Sequence, residues 1–263
     1  MSVLAKVRTG PPSSNTAIKA LVYGGPGKGK TTFAASIPDV LLVDFEAGAH
    51  HVDCDRVSIT SKKDFDALLE ELKTTDKYKC LALDTVDWLQ KLIFDDVCKK
   101  AGVSNISKME YGKGYAESQT ILNKYLDAFH GLMKAKKDGD KVKPGMDIVI
   151  LAHAQQRRVT DNPEQAEIDR HTIKLQVNDK GVGMGPILVE WVDYMLYATH
   201  DDTFYQDGRK TKARAGERVL KTQGHTYFEA KARRPIPDQI PMDWATFKQH
   251  HNNPTKKEVK ANA

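Results

Sequence analysis

The octapeptide GGPGKGKT, Gly24 to Thr31, does most to narrow what this chain can fold into. It fits G-x-x-x-x-G-K-[ST] in full. It lies between a short apolar run, IKALVY at 18–23, and a helix-forming stretch that starts at Lys30 and stops before Pro38. Glycines let successive backbone N–H groups curl around phosphates, and the N-terminus of the next helix adds positive potential. The spacing therefore predicts strand, phosphate loop and helix. Gly24, Gly25, Pro26, Gly27, Lys28, Gly29, Lys30, Thr31 and Thr32 then form a nucleoside triphosphate site. In it Lys30 reaches the β- and γ-phosphates and the Thr31 hydroxyl holds Mg²⁺. ATP and Mg²⁺ are the expected ligands.

Three more apolar runs follow with helical stretches between them: VLLVDF at 40–45, KCLALD at 79–84 and MDIVILAH at 146–153. Strands that are apolar throughout and alternate with helices indicate an α/β fold, a mostly parallel twisted sheet covered on both faces. Between Ala154 and Gly185 the pattern fails, and a long, charged, glycine-containing loop is expected. ILVEWVDYMLYAT (187–199) resumes the sheet, and FYQDGRK reads as an antiparallel hairpin turning at Asp207-Gly208. Residues 219–231 supply more strand. The expected organisation is a flexible lead over 1–16, one ATPase domain over 17–250 and a disordered polar tail over 251–263.

Composition closes off other classes. The 263 residues contain no run near the roughly 18 apolar residues of a membrane span, and the N-terminus lacks the apolar core of a signal peptide. Cys54, Cys80 and Cys98 are odd in number and lack a C-x-x-C pair, which argues against a disulfide framework or zinc ribbon and fits a reducing cytoplasm. The net charge is only +5, but basic residues crowd the stretch from Arg209 to Arg234. Such an excess suits either a polyanion partner or a solvated hairpin face.

Two acidic positions complete the chemistry. Asp84 ends an apolar strand and is the expected second acid at the metal, with a helix cap as its structural alternative. Many phosphate-loop proteins place a glutamate directly after that aspartate. Here the position is Thr85, which with Asp87 could share the cap, so the base must come from elsewhere. The strand VLLVDFEAG ends in Asp44 and Glu46, which strand alternation would turn to the same side. Glu46 is the candidate to polarise water against the γ-phosphate, and Asp44 to order the strand end or the metal's outer shell.

A phosphate loop, a strand ending in D-x-E and a strand ending in Asp-Thr together resemble the RecA-like recombinase and helicase core. The resemblance spans about residues 18–237. It implies that Glu46 is the catalytic base and that a polar sensor ends the fourth strand, His153 at the first register of ILAHAQQRR or Gln155 at the alternative. It also implies two DNA-binding loops, near 103–115 and 156–185. The first offers Tyr111 and Tyr115 for base stacking; the second carries Arg157, Arg158, Arg170, His171, Lys174 and Lys180. FEAKARRPIP is similar to the family strand whose K-x-R pair, here Lys231 and Arg233, reaches a neighbouring subunit's nucleotide. DFEAG, LDTVDWL and ILAH resemble the compact bacteriophage group that includes single-strand annealing proteins. That implies a homo-oligomer, ring or filament, in a bacterial host's cytoplasm. It would bind single-stranded DNA with ATP, cooperate with a single-stranded DNA-binding protein and promote annealing or strand pairing. A ring helicase or helicase loader, and a nucleotide-dependent scaffold with no nucleic-acid role, are the alternatives.

Overall fold

The computed structural model describes residues 16–138, 141–143, 145–160, 166–178, 181–207, 210–214 and 216–254; side chains are not described over 136–143 and 203–213. The first part of the chain runs β1 (Lys19–Gly24), α1 (Lys30–Ala35), β2 (Val40–Asp44), β3 (Asp55–Ser58), α2 (Lys62–Leu72), β4 (Cys80–Asp84) and α3 (Val86–Ala101). The middle gives α4 (Lys113–Leu132), β5 (Lys136–Asp138), β6 (Lys141–Lys143), β7 (Asp147–Val159), β8 (Ile168–Ile173), α5 (Met184–Trp191) and β9 (Tyr194–His200). The last part adds β10 (Thr203–Asp207), β11 (Lys210–Arg214), β12 (Arg218–Lys221), β13 (Lys231–Ala232), β14 (Gln239–Pro241) and α6 (Trp244–Asn252).

The main sheet runs β14-β12-β9-β1-β7-β4-β2-β3. Strands β9 through β3 in that order are mutually parallel, and β12 and β14 extend the edge antiparallel. One strand, β7, separates the phosphate-loop strand from the strand that ends in Asp84. This is the expected RecA-like phosphate-loop core with a C-terminal antiparallel extension.

Alternation along each strand fills two cores. Leu21, Tyr23, Leu81, Leu83, Ile148 and Ile150 face one layer with Leu89, Ile93, Leu122 and Phe129 of α3 and α4. Ala20, Val22, Cys80, Ala82, Val149 and Leu151 face the other, with Phe33 of α1 and Trp244 and Phe247 of α6. A strand buried on both faces shows no polar alternation, which explains the uninterrupted apolar runs in the sequence.

Three expectations need correction. The supposed loop from Ala154 is first a continuation of β7, which runs to Val159 and pairs antiparallel with β8 from Ala154↔Ile173 to Val159↔Ile168. This ribbon leaves the sheet with charge on both faces, so no apolar run marked it as strand. The first half of ILVEWVDYMLYAT is the helix α5; a short apolar run fits either period. Residues 219–231 contribute only the end of β12 and the start of β13. The two strands of the hairpin are observed, with Asp207 opposite Lys210, while residues 208–209 between them lie outside the described residues. The lead over 1–15 and the tail over 255–263 lie outside the described residues, whereas His251, assigned to the tail, is a buried residue of α6. No helix among the described residues is long and apolar enough to cross a membrane.

Candidate nucleotide site

The parallel strands end at one crevice of about 400 Å³, lined from one flank by Pro26, Gly27 and Gly29 to Thr32, and from the other by Asp44, Glu46, Asp84, Thr85 and His153. Gly24 must be glycine because β9 passes so close that a Cβ would sit 2.5 Å from the Ala198 carbonyl oxygen. Gly29 is left-handed, with φ +92°. Gly29 is the residue just before α1, so the left-handed backbone lies where the loop turns into the helix.

Lys30 is buried and donates to the carbonyls of Gly24 (3.0 Å) and Gly25 (3.1 Å). Burial lowers its pKa, and the nearby Asp84, Asp87 and Glu46 carboxylates pull it back. The Thr31 hydroxyl donates to Asp84 Oδ2 at 2.7 Å. A hydroxyl and a carboxylate side by side are hard oxygen donors, so Thr31 and Asp84 fit Mg²⁺ held also by phosphate oxygens. Burial raises the Asp84 pKa against the Thr31 hydrogen bond, and Glu46 and Asp44 add to the rise.

The two acids of the β2 end take different roles. The strand stops at Asp44, so alternation does not carry on to Glu46. The Asp44 carboxylate turns back to accept from the backbone N–H groups of Glu46 (3.0 Å), Gly48 (3.3 Å) and Ala49 (2.8 Å). It orders the loop. Glu46 stays half-exposed in the crevice, where Thr85 Oγ donates to its Oε1 at 2.5 Å and His153 Nδ1 lies 3.7 Å away. The peptide between Asp84 and Thr85 is cis.

His153 sits level with Gly24 and faces the crevice, whereas the Gln155 amide donates to the Ile173 carbonyl outside it. Asp87 holds His153 at two points: the backbone N–H at 3.0 Å and Nδ1 at 2.8 Å. The hydrogen bond to Asp87 raises the His153 pKa above its ordinary value, and the same contacts hold Asp87 low despite burial. Thr85 is the cap residue of α3 but makes no side-chain cap, because its hydroxyl serves Glu46.

Other expected residues lie elsewhere. Lys231 donates to the Val189 carbonyl, and Arg233 pairs with Asp193 at 2.8 Å and donates to the Glu190 carbonyl. Both sit near the start of β9, away from the crevice, with β13 pairing only at Tyr194 and Met195. Tyr115 packs edge-on against Phe94, while Tyr111 is 95% exposed. Arg158 lies near Glu167 and Asp169, Arg170 donates to the Thr226 carbonyl, and His171 stacks on Tyr197. Lys180 is outside the described residues. Arg157 and Lys174 line a second cavity, of about 530 Å³.

Sequence reasoning missed Arg218 and His51 in the crevice and underrated Asp87. In the sequence Arg218 is one more cation of the basic stretch from Arg209 to Arg234. The other described cations of its second half are tied to their own chain: Lys221 to Gln239, and Arg234 to the His251 carbonyl and Thr16. Apart from Arg218, the cations of that second half are therefore held by their own chain.

Residues 16–234 match the model of a family described as an AAA domain. No curated protein matches the chain. Among solved structures, a KaiC-like protein of the hyperthermophilic archaeon Pyrococcus horikoshii OT3 is similar over 81% of this chain and 88% of its own, at 12% identity and a TM-score of 0.37.

Proposed function

The chain belongs to the AAA domain family of P-loop NTPases, and we propose that it is an ATPase whose turnover single-stranded DNA stimulates. It would act as a homo-oligomer, with a single-stranded DNA-binding protein, to anneal or pair strands in bacteriophage recombination. Lys30 and the loop amides would hold the phosphates, and Thr31 and Asp84 would hold Mg²⁺, which when bound supplies positive charge against that of the phosphates. Glu46 orients water for in-line attack. Its hydrogen bond from Thr85 and its nearness to His153 fix where the carboxylate points.

The observation that carries the DNA part is Asp87. This one carboxylate grips His153 in the crevice and also lines the neighbouring cavity, beside Trp88, Lys91, Arg157 and Lys174. Trp88 is 40% exposed, a large aromatic surface open to a base. Arg157 and Lys174 suit phosphodiesters irrespective of sequence. The Lys174 N–H donates to the His153 carbonyl at 2.8 Å, so a strand seated in the cavity presses on the chain that positions the crevice. The annealing role rests on the resemblance of DFEAG, LDTVDWL and ILAH alone. Lys231 and Arg233 would have to leave their own-chain partners to serve a neighbour.

The test is ATP turnover with and without single-stranded DNA, alongside DNA binding at several salt concentrations and a strand-annealing assay. Stimulation that disappears in Arg157→Ala with Lys174→Ala, while turnover without DNA persists, supports the reading. Absence of both stimulation and binding, with ATP or its non-hydrolysable analogue, sinks it.

A further inference from the structure

Arg218 is the first residue of β12, which pairs antiparallel with β9, so it stands opposite His200. Its side chain extends over the phosphate loop. A Cβ built on Gly29 would lie 2.9 Å from Arg218 Nη1 and 3.1 Å from its Cδ. Arg218 thus lies against the loop backbone and lines the crevice together with Lys30 and Thr31. Its neighbour His200 takes up the other loop cation, with Lys28 Nζ 2.9 Å from His200 Nδ1. The Arg218 guanidinium makes no hydrogen bond or ion pair among the described residues. A guanidinium laid across an anion-binding loop without a protein acceptor is a cation waiting for a ligand oxygen or a ring face.

The sheet order says which part of the ligand it meets. Asp84 and Glu46, which address the metal and the terminal phosphate, enter from β4 and the end of β2, beyond β7. Arg218 enters from the opposite flank of β1, beyond β9. A nucleotide whose γ-phosphate points to Glu46 therefore runs its nucleoside end toward Arg218. We propose that Arg218 binds the nucleoside-side end of the nucleotide, and that it does so from the same subunit that supplies the phosphate loop. This rests on the ATP-binding reading of the crevice. It gives the site a second in-chain cation beside Lys30, in contrast to Lys231 and Arg233, whose charges face Asp193 and main-chain carbonyls.

A contact at that end is made equally by ATP and ADP, so it acts on affinity and leaves the chemical step alone. The experiment is calorimetric titration of ATP and ADP, with Mg²⁺, into wild type, Arg218→Ala and Arg218→Lys, with steady-state turnover alongside. Loss of one charge-assisted contact should raise Kd for both nucleotides by about tenfold. Saturated turnover should stay within about twofold, and Arg218→Lys should recover part of the affinity. An increase confined to ATP would place Arg218 at the γ-phosphate and overturn the assignment, as would no change in either nucleotide.

The same-subunit part has its own arm. In an equimolar mixture of Arg218→Ala and Lys30→Ala subunits, a contact in cis leaves KM at the Arg218→Ala value. A KM restored to that of wild type shows supply in trans and overturns that part. Wild-type protein that binds neither nucleotide removes the ATPase reading itself. Wild-type binding with an unmoved Arg218→Ala constant overturns the Arg218 assignment alone.

Discussion

The two ends of the same sheet treat charge in opposite ways. At the end where β7 begins, the buried Asp147 carboxylate takes the Ile18 N–H on one oxygen at 2.8 Å and Lys248 on the other at 2.7 Å. Nearby, Asp193 pairs with Arg233 at 2.8 Å and lies 3.5 Å from Lys19. At the crevice end, Asp44, Glu46, Asp84 and Asp87 gather around one buried lysine, and their nearest partners are hydroxyls, backbone N–H groups and one imidazole. The first end is closed by its own chain. The second keeps like charges close until a cation and phosphates arrive, which lowers the stability of the empty protein in exchange for a prepared site.

Changes at the two ends should therefore separate activity from stability. The largest effect belongs to Glu46→Gln, which keeps the Thr85 hydrogen bond but cannot accept a proton. Turnover should fall about 10²–10³-fold with nucleotide affinity retained. Normal turnover in that variant would remove Glu46 from the chemistry and leave the gathered acids without a reason.

Next in size is Asp147→Ala. It strands the buried Ile18 N–H, while the half-exposed Lys248 returns to water. Unfolding in urea should show a loss of about 2–3 kcal/mol, mostly from the orphaned donor. Turnover per folded molecule should hold. A large drop in turnover would mean that the two ends are coupled through β7, and the contrast would collapse.

These contrasts also explain what the sequence could and could not reveal. Lys30, Thr31, Asp84 and Glu46 were legible because each sits at a fixed short distance from an apolar strand or glycine loop. The strand's own geometry then puts them at the crevice. Arg218 was not legible, because its place depends on β12 folding back beside β9, a pairing between segments separated only by a charged hairpin. Asp87 read as a helix cap because an aspartate just after a strand end usually caps. Here β7 comes between β1 and β4 and brings His153 within its reach. The β7–β8 ribbon was missed for a different reason. Its residues are polar on both faces, so the period-2 signal of a half-buried strand never forms.

A smaller effect, of opposite sign, is expected for Asp84→Asn. The Asp84 carboxyl has its pKa raised by burial, with Glu46 and Asp44 adding to the rise, so its charge opposes folding once the pH passes the ordinary carboxylate range. Asparagine can still accept from Thr31 and carries no charge. The nucleotide-free variant should be more stable at neutral pH by about 0.5–2 kcal/mol, while Mg²⁺-dependent turnover is lost. A destabilised variant would show that the acids are held there without strain, and the contrast between the two ends would lose its energetic basis.

The smallest effect concerns the ion pair of His153 with Asp87 beside the crevice, and its sign follows from the two shifts. His153 has a raised folded pKa, so its contribution is complete below the ordinary histidine value of about 6.5 and is lost as pH climbs through the higher folded value. Asp87 has a lowered folded pKa, so its contribution is complete above about 3.9 and is lost as pH falls through the lower folded value. Between those limits the pair is fully charged in the folded protein. The stability difference between wild type and His153→Asn, read from urea midpoints across that range and upward, should be greatest between about pH 4 and 6.5. It should shrink as the pH rises further, and it should stay below about 1 kcal/mol because His153 is partly open to water. A difference that grows toward alkaline pH would mean that His153 is held neutral, with Asp87 as a plain acceptor. The crevice would then contain no ion pair between side chains other than Lys30 with its surrounding acids, and the contrast with the Asp147 end would be sharper still.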